Sequence, residues 1–264
     1  MIKKPMIIVC FLVTTGFAAF ELQTVNPSSI ALGNVISLYP YSLNPAAQTE
    51  AVGKYLRFDY SRIFSIKGLD YYEVQAGWTS SRKRSYGAIL RSFGNPIYQE
   101  KTIVFNHARR IINVLAVGIS LHYYHIAISG YDSDGTVGLT IGAKCYINER
   151  LQFAVLFQNV NSPSLYDRSN RLPECFSAGL SYTPHPRIDW CLELFKDTEF
   201  PFSTRTGVRI KTLSCLDLMV GAQLNPDRFT GGLTLHWKQF RFDAAFLHHL
   251  ALPYTIYYGC GICF

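Results

Sequence analysis

The sequence predicts an all-β fold, a transmembrane antiparallel β-barrel of about 14 strands that carries a short N-terminal plug segment. First, the 264-residue chain repeats segments of about ten residues in which apolar and polar side chains alternate, the period of a half-buried strand. Second, aromatic residues make up 14% of the chain and charged residues only 16%, so much of the surface must be apolar without being core. Third, short turns alternate with longer loops, which is typical of outer-membrane barrels.

The first 19 residues predict a cleavable signal peptide. Lys3 and Lys4 precede an apolar run over residues 6–14, and the small residues Gly16 and Ala18 follow it. The run is shorter than the roughly 20 residues that a membrane-spanning helix needs, which favours cleavage over anchoring. We therefore expect an exported protein of the bacterial outer membrane, with both ends of the mature chain in the periplasm.

Residues 20–53 predict a plug, or hatch, ahead of the first strand. They do not alternate, and Pro27, Gly33, Pro40 and Pro45 interrupt any long regular element. A segment of this length at the periplasmic start of a barrel can fold into the lumen.

Residues 54–264 predict the barrel itself. The third and fourth strands are the least regular, because Arg91 shares a face with apolar neighbours. The predicted strands lie near 55–64, 70–78, 85–94, 101–111, 113–129, 135–147, 151–160, 174–184, 188–197, 203–213, 215–225, 228–237, 240–249 and 255–264.

The last predicted strand places Tyr258, Ile262 and Phe264 on one face and small residues such as Gly259 and Gly261 on the other. A C-terminal aromatic residue after an alternating strand is typical of barrels that the barrel-assembly machinery inserts. We therefore take Tyr258, Ile262 and Phe264 as the assembly signal and expect that machinery and outer-membrane lipid as partners.

Large aromatic residues at strand ends predict a girdle at the membrane interfaces. Four of them are expected on the apolar, lipid-facing side: Trp78, Tyr146, Tyr182 and Trp237.

The polar face of the strands separates two folds, since a soluble β-sandwich also alternates. A sandwich exposes that face to water and fills it with Lys, Glu and Thr, whereas here it carries Gly, Ser, Asn and Gln with isolated opposite charges. Small residues and paired charges are typical of a narrow polar lumen. The expected lumenal charges, which could pair across neighbouring strands, are Arg57, Asp59, Asp189, Glu193, Arg205, Arg209, Arg241 and Asp243.

Most other kinds of site are excluded by spacing. The net charge of +7 is scattered, which argues against nucleic-acid binding. His122 and His125 face opposite sides of a strand, so they cannot share a metal ion. No phosphate loop, haem motif or Ser/His/acid set appears, so we expect neither catalysis nor a cofactor. Whether the six cysteines after the signal stay free or form one or two disulfides is open.

Three short motifs carry a resemblance to a known family. The run SIALGN from Ser29 to Asn34 and the run YSLNPA from Tyr41 to Ala46 resemble the opening of PorV/PorQ proteins. The run FDAAF over residues 242–246, with His248, is similar to their penultimate strand. PorV/PorQ proteins are outer-membrane barrels associated with type IX secretion and related in fold to the FadL fatty-acid transporters.

This resemblance implies that Asn44, Pro45 and Ala46 form a hatch motif at the inner end of the channel. The sequence departs from the family where Asn34 follows Gly33, and its loops are short for the external groove of a fatty-acid transporter. An ordinary turn at Asn44 and Pro45 is the alternative.

Two functions follow from the resemblance. The first is a secretion-associated scaffold without catalysis, which binds secreted cargo or envelope proteins at its outer loops, chiefly residues 160–173. The alternative is a FadL-like passive channel for hydrophobic small molecules, with the N-terminal segment as a hatch and a lateral opening in the wall.

Overall fold

The computed structural model describes residues 19–21, 24–51, 53–80, 83–166, 170–198, 200–250 and 252–264. Apart from Ala19, the predicted signal peptide lies outside these residues. Within the described ranges, no helix combines the length and apolar character needed to cross a membrane.

The described chain forms a closed barrel of 14 antiparallel strands, each paired with its sequence neighbours. The barrel closes between the first and last strands, from Tyr55 opposite Cys263 to Arg62 opposite Ile256. The predicted fold class is therefore confirmed. The strands are β1 Lys54–Arg62, β2 Asp70–Thr79, β3 Arg84–Gly94, β4 Tyr98–Ile112, β5 Leu115–Ile128, β6 Asp134–Tyr146, β7 Leu151–Gln158, β8 Cys175–His185, β9 Ile188–Asp197, β10 Ser203–Leu213, β11 Leu216–Leu224, β12 Arg228–Trp237, β13 Phe240–His249 and β14 Thr255–Cys263.

The two faces of each strand differ sharply in exposure. In β1 the side chains of Leu56 and Phe58 are 48% and 42% exposed, whereas those of Arg57 and Asp59 are 2% and 0% exposed. A soluble β-sandwich would bury the apolar face, and a contiguous apolar belt of this extent is not left in water by soluble proteins. The outer surface is therefore built for lipid and the polar face lines the lumen.

The two ends of the barrel differ in their connections. We call the end with the segments 63–69, 95–97, 129–133, 159–174, 198–202, 225–227 and 250–254 the loop end. The opposite end, where β1 begins and β14 finishes, is the turn end, and its connections run over 80–83, 113–114, 147–150, 186–187, 214–215 and 238–239.

Three of the four predicted girdle aromatics lie on the outer face: Trp78, Tyr182 and Trp237 are exposed. The prediction for Tyr146 is wrong. It shares the lumenal face of β6 with Lys144, and its ring lies 3.9 Å from the guanidinium carbon of Arg110. The reason is that this ring packs against lumenal cations.

Residues 24–51 lie inside the barrel, and we call them the plug segment. They contain the short helix α1, Pro27–Ala31, and a 3-10 helix, Pro45–Glu50. Each helix begins with an Asn-Pro pair: the side chain of Asn26 accepts from the backbone of Ser28, and Asn44 accepts from Ala46. Asparagine satisfies the free N–H groups of the first turn and proline presets its φ, so both starts are encoded locally.

Apolar plug residues complete the interior of the barrel. Val25, Leu32, Val35 and Leu38 are fully buried and belong to one cluster with wall residues such as Met219.

Among the cysteines, Cys145, Cys191, Cys215, Cys260 and Cys263 are free thiols.

Candidate functional site

A chamber of about 650 Å³ lies at the loop end of the lumen. Its size falls in the range of small-molecule sites. The apolar part of its wall includes Ile63, Phe64, Leu69, Phe93, Phe195 and Leu247. The polar part includes Gln158, Ser203, Arg205, Gln223, Arg228 and His249. A mainly apolar cavity with a few polar groups is suited to a small, largely hydrophobic ligand.

The plug segment forms the floor of this chamber. Thr24, Ile30 and Asn34 line the cavity from below, and the rest of the segment lies between it and the turn end. Passage between the two ends of the barrel therefore depends on how the plug is held.

A first group of predicted charges meets around β14 at one edge of the plug. Arg57 Nη2 lies 2.9 Å from Asp59 Oδ1 and 3.0 Å from Asp243 Oδ2, and Arg241 Nε lies 3.0 Å from the same Asp243 oxygen. The plug joins through Ser28, whose hydroxyl donates to Asp243 Oδ1 over 3.0 Å. The Asp59 and Asp243 carboxylates are fully buried, so these bonds are shielded from water.

A second group holds the middle of the plug to β9 and β10. The carboxylate of Glu193 accepts from the backbone N–H groups of Ile36 and Ser37, over 3.1 and 2.8 Å, and from the Ser37 hydroxyl. Arg205 Nη1 lies 3.4 Å from Glu193 and donates to the backbone oxygen of Asn34 over 2.7 Å. One carboxylate thus orients three donors of the plug.

The remaining predicted pair meets through a plug residue. Tyr39 donates its hydroxyl to Asp189 over 2.8 Å, and the guanidinium carbon of Arg209 lies 4.6 Å from the centre of the Tyr39 ring. Burial raises the pKa of Tyr39 well above its ordinary value, so the phenol keeps its proton, and its hydrogen bond to Asp189, even in alkaline solution.

Two further ion pairs with a buried cation were not predicted from the sequence. Arg91 Nε lies 2.5 Å from Glu73 on the neighbouring strand, and Lys144 Nζ lies 2.7 Å from Glu50 of the plug. For the pair of Arg91 and Glu73, the sequence did contain an indication: Arg91 lies on the same lumenal face of the third strand as the apolar residues Ile89 and Phe93. The ion pair of Lys144 could not be predicted, because its partner lies in the plug and the strand pattern does not show the path of the plug.

The predicted hatch motif lies against the wall formed by β5 and β6. Asn44 Nδ2 donates to the backbone oxygen of Ser37 over 2.7 Å and to that of Val155 over 3.3 Å. A Cβ atom at Gly142 would lie 2.0 Å from Asn44 Oδ1, and one at Gly118 would lie 2.7 Å from the backbone nitrogen of Ala46. Glycine at these two positions lets the turn approach the wall closely.

We expect Asn44→Ala to lower the free energy of unfolding by about 1–3 kcal/mol, because buried backbone acceptors of the plug and wall lose their donor. Urea unfolding of the detergent-solubilised protein measures this loss. Asn148→Ala is the matched control, since Asn148 also accepts backbone N–H groups in a turn but is exposed. Equal losses in the two variants would contradict a special role for Asn44 in holding the plug.

The predicted assembly signal lies at the seam of the barrel. Tyr258 and Phe264 are exposed on the outer side, and Ile262 is partly exposed beside them. The backbone N–H of Phe264 donates to Lys54 over 2.8 Å, which extends the pairing of β14 with β1. The recognition of these residues by the assembly machinery stays a prediction.

In the part of the chain that the structure describes, no three His, Cys, Asp or Glu side chains are close enough together to hold a metal ion.

No protein-family model matches the sequence, and no curated protein matches it either. Solved structures do match in fold. The toluene transporter TbuX of Ralstonia pickettii has a TM-score of 0.70 at 11% identity, covering 93% of this chain and 100% of TbuX. The monoaromatic hydrocarbon channel CymD has a TM-score of 0.70 at 12% identity, covering 93% and 99%.

The toluene transporter TodX of P. putida has a TM-score of 0.62 at 11% identity, covering 89% of this chain and 97% of TodX. None of these matches supports the finer resemblance to PorV/PorQ proteins. This chain therefore shares the barrel fold of these three solved proteins.

Proposed function

We propose that the protein is a passive outer-membrane channel for hydrophobic small molecules. The observation that carries this proposal is the 650 Å³ chamber, which is mainly apolar, opens at the loop end and ends on the plug. A scaffold that acts only through its outer loops has no need of such a chamber. TbuX and TodX, which share the fold, are toluene transporters, and CymD, which shares it too, is a monoaromatic hydrocarbon channel; a ligand of that size is consistent with the chamber.

The wall offers a place for lateral exit in this proposal. β7 pairs with β6 only from Ile141 to Tyr146, so the loop-end part of β6 extends beyond β7. There the strand ladder is reduced to one backbone hydrogen bond, from the N–H of Val160 to the oxygen of Leu139 over 2.9 Å. The side chain of Asn161 adds two more: it accepts from the N–H of Leu139 and donates to the oxygen of Val137, each over 2.8 Å. These three hydrogen bonds separate more readily than a full strand ladder, so this seam suits the release of a solute into lipid.

The secretion-associated scaffold remains the second candidate, and the observation in its favour is the plugged lumen. Ion pairs of the wall hold the plug through Ser28, Ser37 and Glu50, as a barrel without flux would require. In that case cargo or envelope proteins would bind at the loop formed by residues 160–173.

Uptake into liposomes separates the two candidates. Liposomes that contain the purified protein are expected to take up toluene and a labelled long-chain fatty acid faster than protein-free liposomes do. If neither probe enters faster than in protein-free liposomes, the channel proposal is wrong and the scaffold is the remaining candidate.

Within the channel proposal, Leu247→Gln is expected to weaken binding of a naphthalene-type fluorescent probe about tenfold, because the new amide is buried without partners. Leu247 lines the chamber and is buried. Fluorescence titration measures the affinity. Leu252→Gln in the exposed loop 250–254 is the control, and a similar loss there would place the probe outside the chamber.

A further inference from the structure

Two arginines face each other on the outer surface of the barrel near the turn end. Arg84 of β3 and Arg109 of β4 are directly opposite in the strand pairing, so their Cβ atoms lie about 5 Å apart. Both belong to the exposed outer rows of their strands, which also carry Tyr86 on β3 and Phe105 and His107 on β4. Like charges directly opposite each other destabilise a sheet, so this pair needs a compensating negative charge.

The wall of the barrel does not supply this negative charge. Among the described residues, neither arginine takes part in an ion pair. The only acidic residue in β3 and β4 is Glu100, which is buried in the lumen near the loop end. By contrast, Arg62 on the outer face of β1 lies directly opposite Asp70 of β2 and is joined to it over 2.8 Å. Arg62 is thus paired within the wall, whereas the two arginines at the turn end are not.

A row of aromatic rings lies next to the arginines, one outward position closer to the middle of the barrel. The Trp78 and Tyr86 rings stack with their centres 6.0 Å apart, and the centres of the Tyr86 and His107 rings are 4.7 Å apart. Aromatic residues on the outer face mark the level of the lipid headgroups. Two residues along a strand span about 7 Å, so both guanidinium groups reach the level of the phosphates.

The surroundings of the two arginines favour a lipid over a soluble partner. The outer row of β4 continues beyond Arg109 with Ile111, which is 55% exposed, and the next turn adds Val114, which is 48% exposed. Apolar side chains therefore flank the guanidinium groups on the side of the turn end, and aromatic rings flank them on the other side. An acidic protein would have to displace lipid from these side chains, whereas a phospholipid headgroup is already at this level.

We propose that Arg84 and Arg109 bind the phosphate of an anionic phospholipid of the phosphatidylglycerol type, in the leaflet at the turn end. A guanidinium group binds phosphate oxygens through parallel hydrogen bonds, so a phosphate between two arginines is held from both sides. The glycerol and the acyl chains of the lipid extend along the aromatic row. A zwitterionic headgroup brings its own cation close to both arginines and loses part of this attraction. The site is separate from the chamber and does not depend on the proposed channel function.

Native mass spectrometry of the purified full-length protein in neutral detergent tests this site. The protein is titrated with dioleoylphosphatidylglycerol and with dioleoylphosphatidylcholine, which carry the same acyl chains. We expect the anionic lipid to bind about tenfold more tightly, the order expected for two basic side chains at a charged membrane surface. Equal affinities would overturn the lipid site and leave an acidic protein as the partner of the two arginines.

The double variant Arg84→Gln/Arg109→Gln removes both charges and is expected to lose most of this preference. Without added lipid, its Tm is expected to be equal to or higher than that of the unaltered protein, because a like-charge contact is gone. Added phosphatidylglycerol is expected to raise Tm in the unaltered protein and not in the variant, since a ligand stabilises only the protein that binds it. A preference that survives in the variant would assign the lipid to another surface and contradict the proposal.

The double variant Arg187→Gln/Lys238→Gln is the matched control, because both residues are exposed in turns of the same end and the same total charge is removed. It is expected to keep the preference, and an equal loss in both double variants would mean that the general charge of the turn end attracts the lipid. Glycerol 3-phosphate, which has the phosphate without acyl chains, is expected not to displace the bound lipid. Displacement would make this a site for a soluble phosphate ester and overturn the assignment to a lipid. Should Arg84→Gln/Arg109→Gln not fold, the comparison of the two lipids in the unaltered protein still decides.

Discussion

Replacing Asp243 by alanine is expected to lower the free energy of unfolding by about 3–5 kcal/mol, the range for breaking a buried ion pair on one side. Asp243 accepts hydrogen bonds from Arg57, Arg241, Ser28 and Thr234. Its loss leaves the Arg57 guanidinium, 2% exposed, with Asp59 as its remaining ion-pair partner. It also removes the acceptor of the Ser28 hydroxyl and leaves the hydrogen bond from Arg241 to Ser28 as the remaining side-chain tie between Ser28 and β13.

The same change is therefore expected to loosen the plug. Urea unfolding in detergent measures the stability, and limited proteolysis before unfolding measures the exposure of residues 24–30. Cleavage near α1 should appear at urea concentrations at which the unaltered protein resists.

Asp217→Ala is the matched control, because Asp217 pairs with His236 over 3.2 Å on the lumenal wall but both side chains are partly exposed. Such a pair contributes about 0–1 kcal/mol. The isosteric variant Asp243→Asn is expected to fall between the two, since it keeps an acceptor and loses the charge. If Asp243→Ala and Asp217→Ala lost the same stability, the ion-pair group around β14 would not be what holds the plug.

The strands could be predicted from the sequence because their signal is local. A period of two over about ten residues defines a strand and assigns each side chain to a face without knowledge of its neighbours. This is why Arg57 and Asp243 were expected in the lumen before their partners were known. The prediction for Tyr146 was wrong because an aromatic residue at a strand end need not face lipid: the alternation of β6 places it on the face of Lys144, where Arg110 packs against its ring.

The ion-pair partners of these lumenal charges could not be predicted, because they depend on how the barrel closes. Arg57 and Asp243 are separated by most of the chain and meet across β14, where Gly259 and Gly261 carry no side chain. A Cβ atom at Gly259 would lie 2.3 Å from Asp59 Oδ1. The sequence shows two glycines in the last strand, but the need for them appears only once the strands on both sides are known.

The path of the plug could not be predicted from the sequence either. Its position before the first strand and its prolines predicted an insert without long elements, and the repeated Asn-Pro pairs at Asn26 and Asn44 could have indicated two helix starts. Its path through the lumen depends on contacts with residues more than a hundred positions away, such as Thr230 and Glu193. No local pattern encodes such contacts.

The backbone of the plug approaches the wall most closely at Gly221. Gly33 has a φ of +81° and lies against Gly221 of β11, where a Cβ atom would come within 2.2 Å of the Gly33 nitrogen and 2.5 Å of the Leu32 carbonyl carbon. Both are backbone atoms, so neither can rotate away. Gly221→Val is therefore expected to cost about 1–3 kcal/mol by overpacking and to push residues 31–33 off the wall.

Because residues 31–33 are part of the barrier between the chamber and the turn end, ion conductance in planar bilayers is expected to rise from a nearly closed level to steady open events in Gly221→Val. Gly231→Val is the matched control: Gly231 lies on the lipid side of the neighbouring strand, and its added Cβ would meet only the ring of Phe246 within 3 Å, a side chain that can turn into lipid. Open events in both variants would mean that general damage to the wall, rather than displacement of the plug, carries the current. Open events in Gly221→Val alone would identify the plug as the element that closes the barrel.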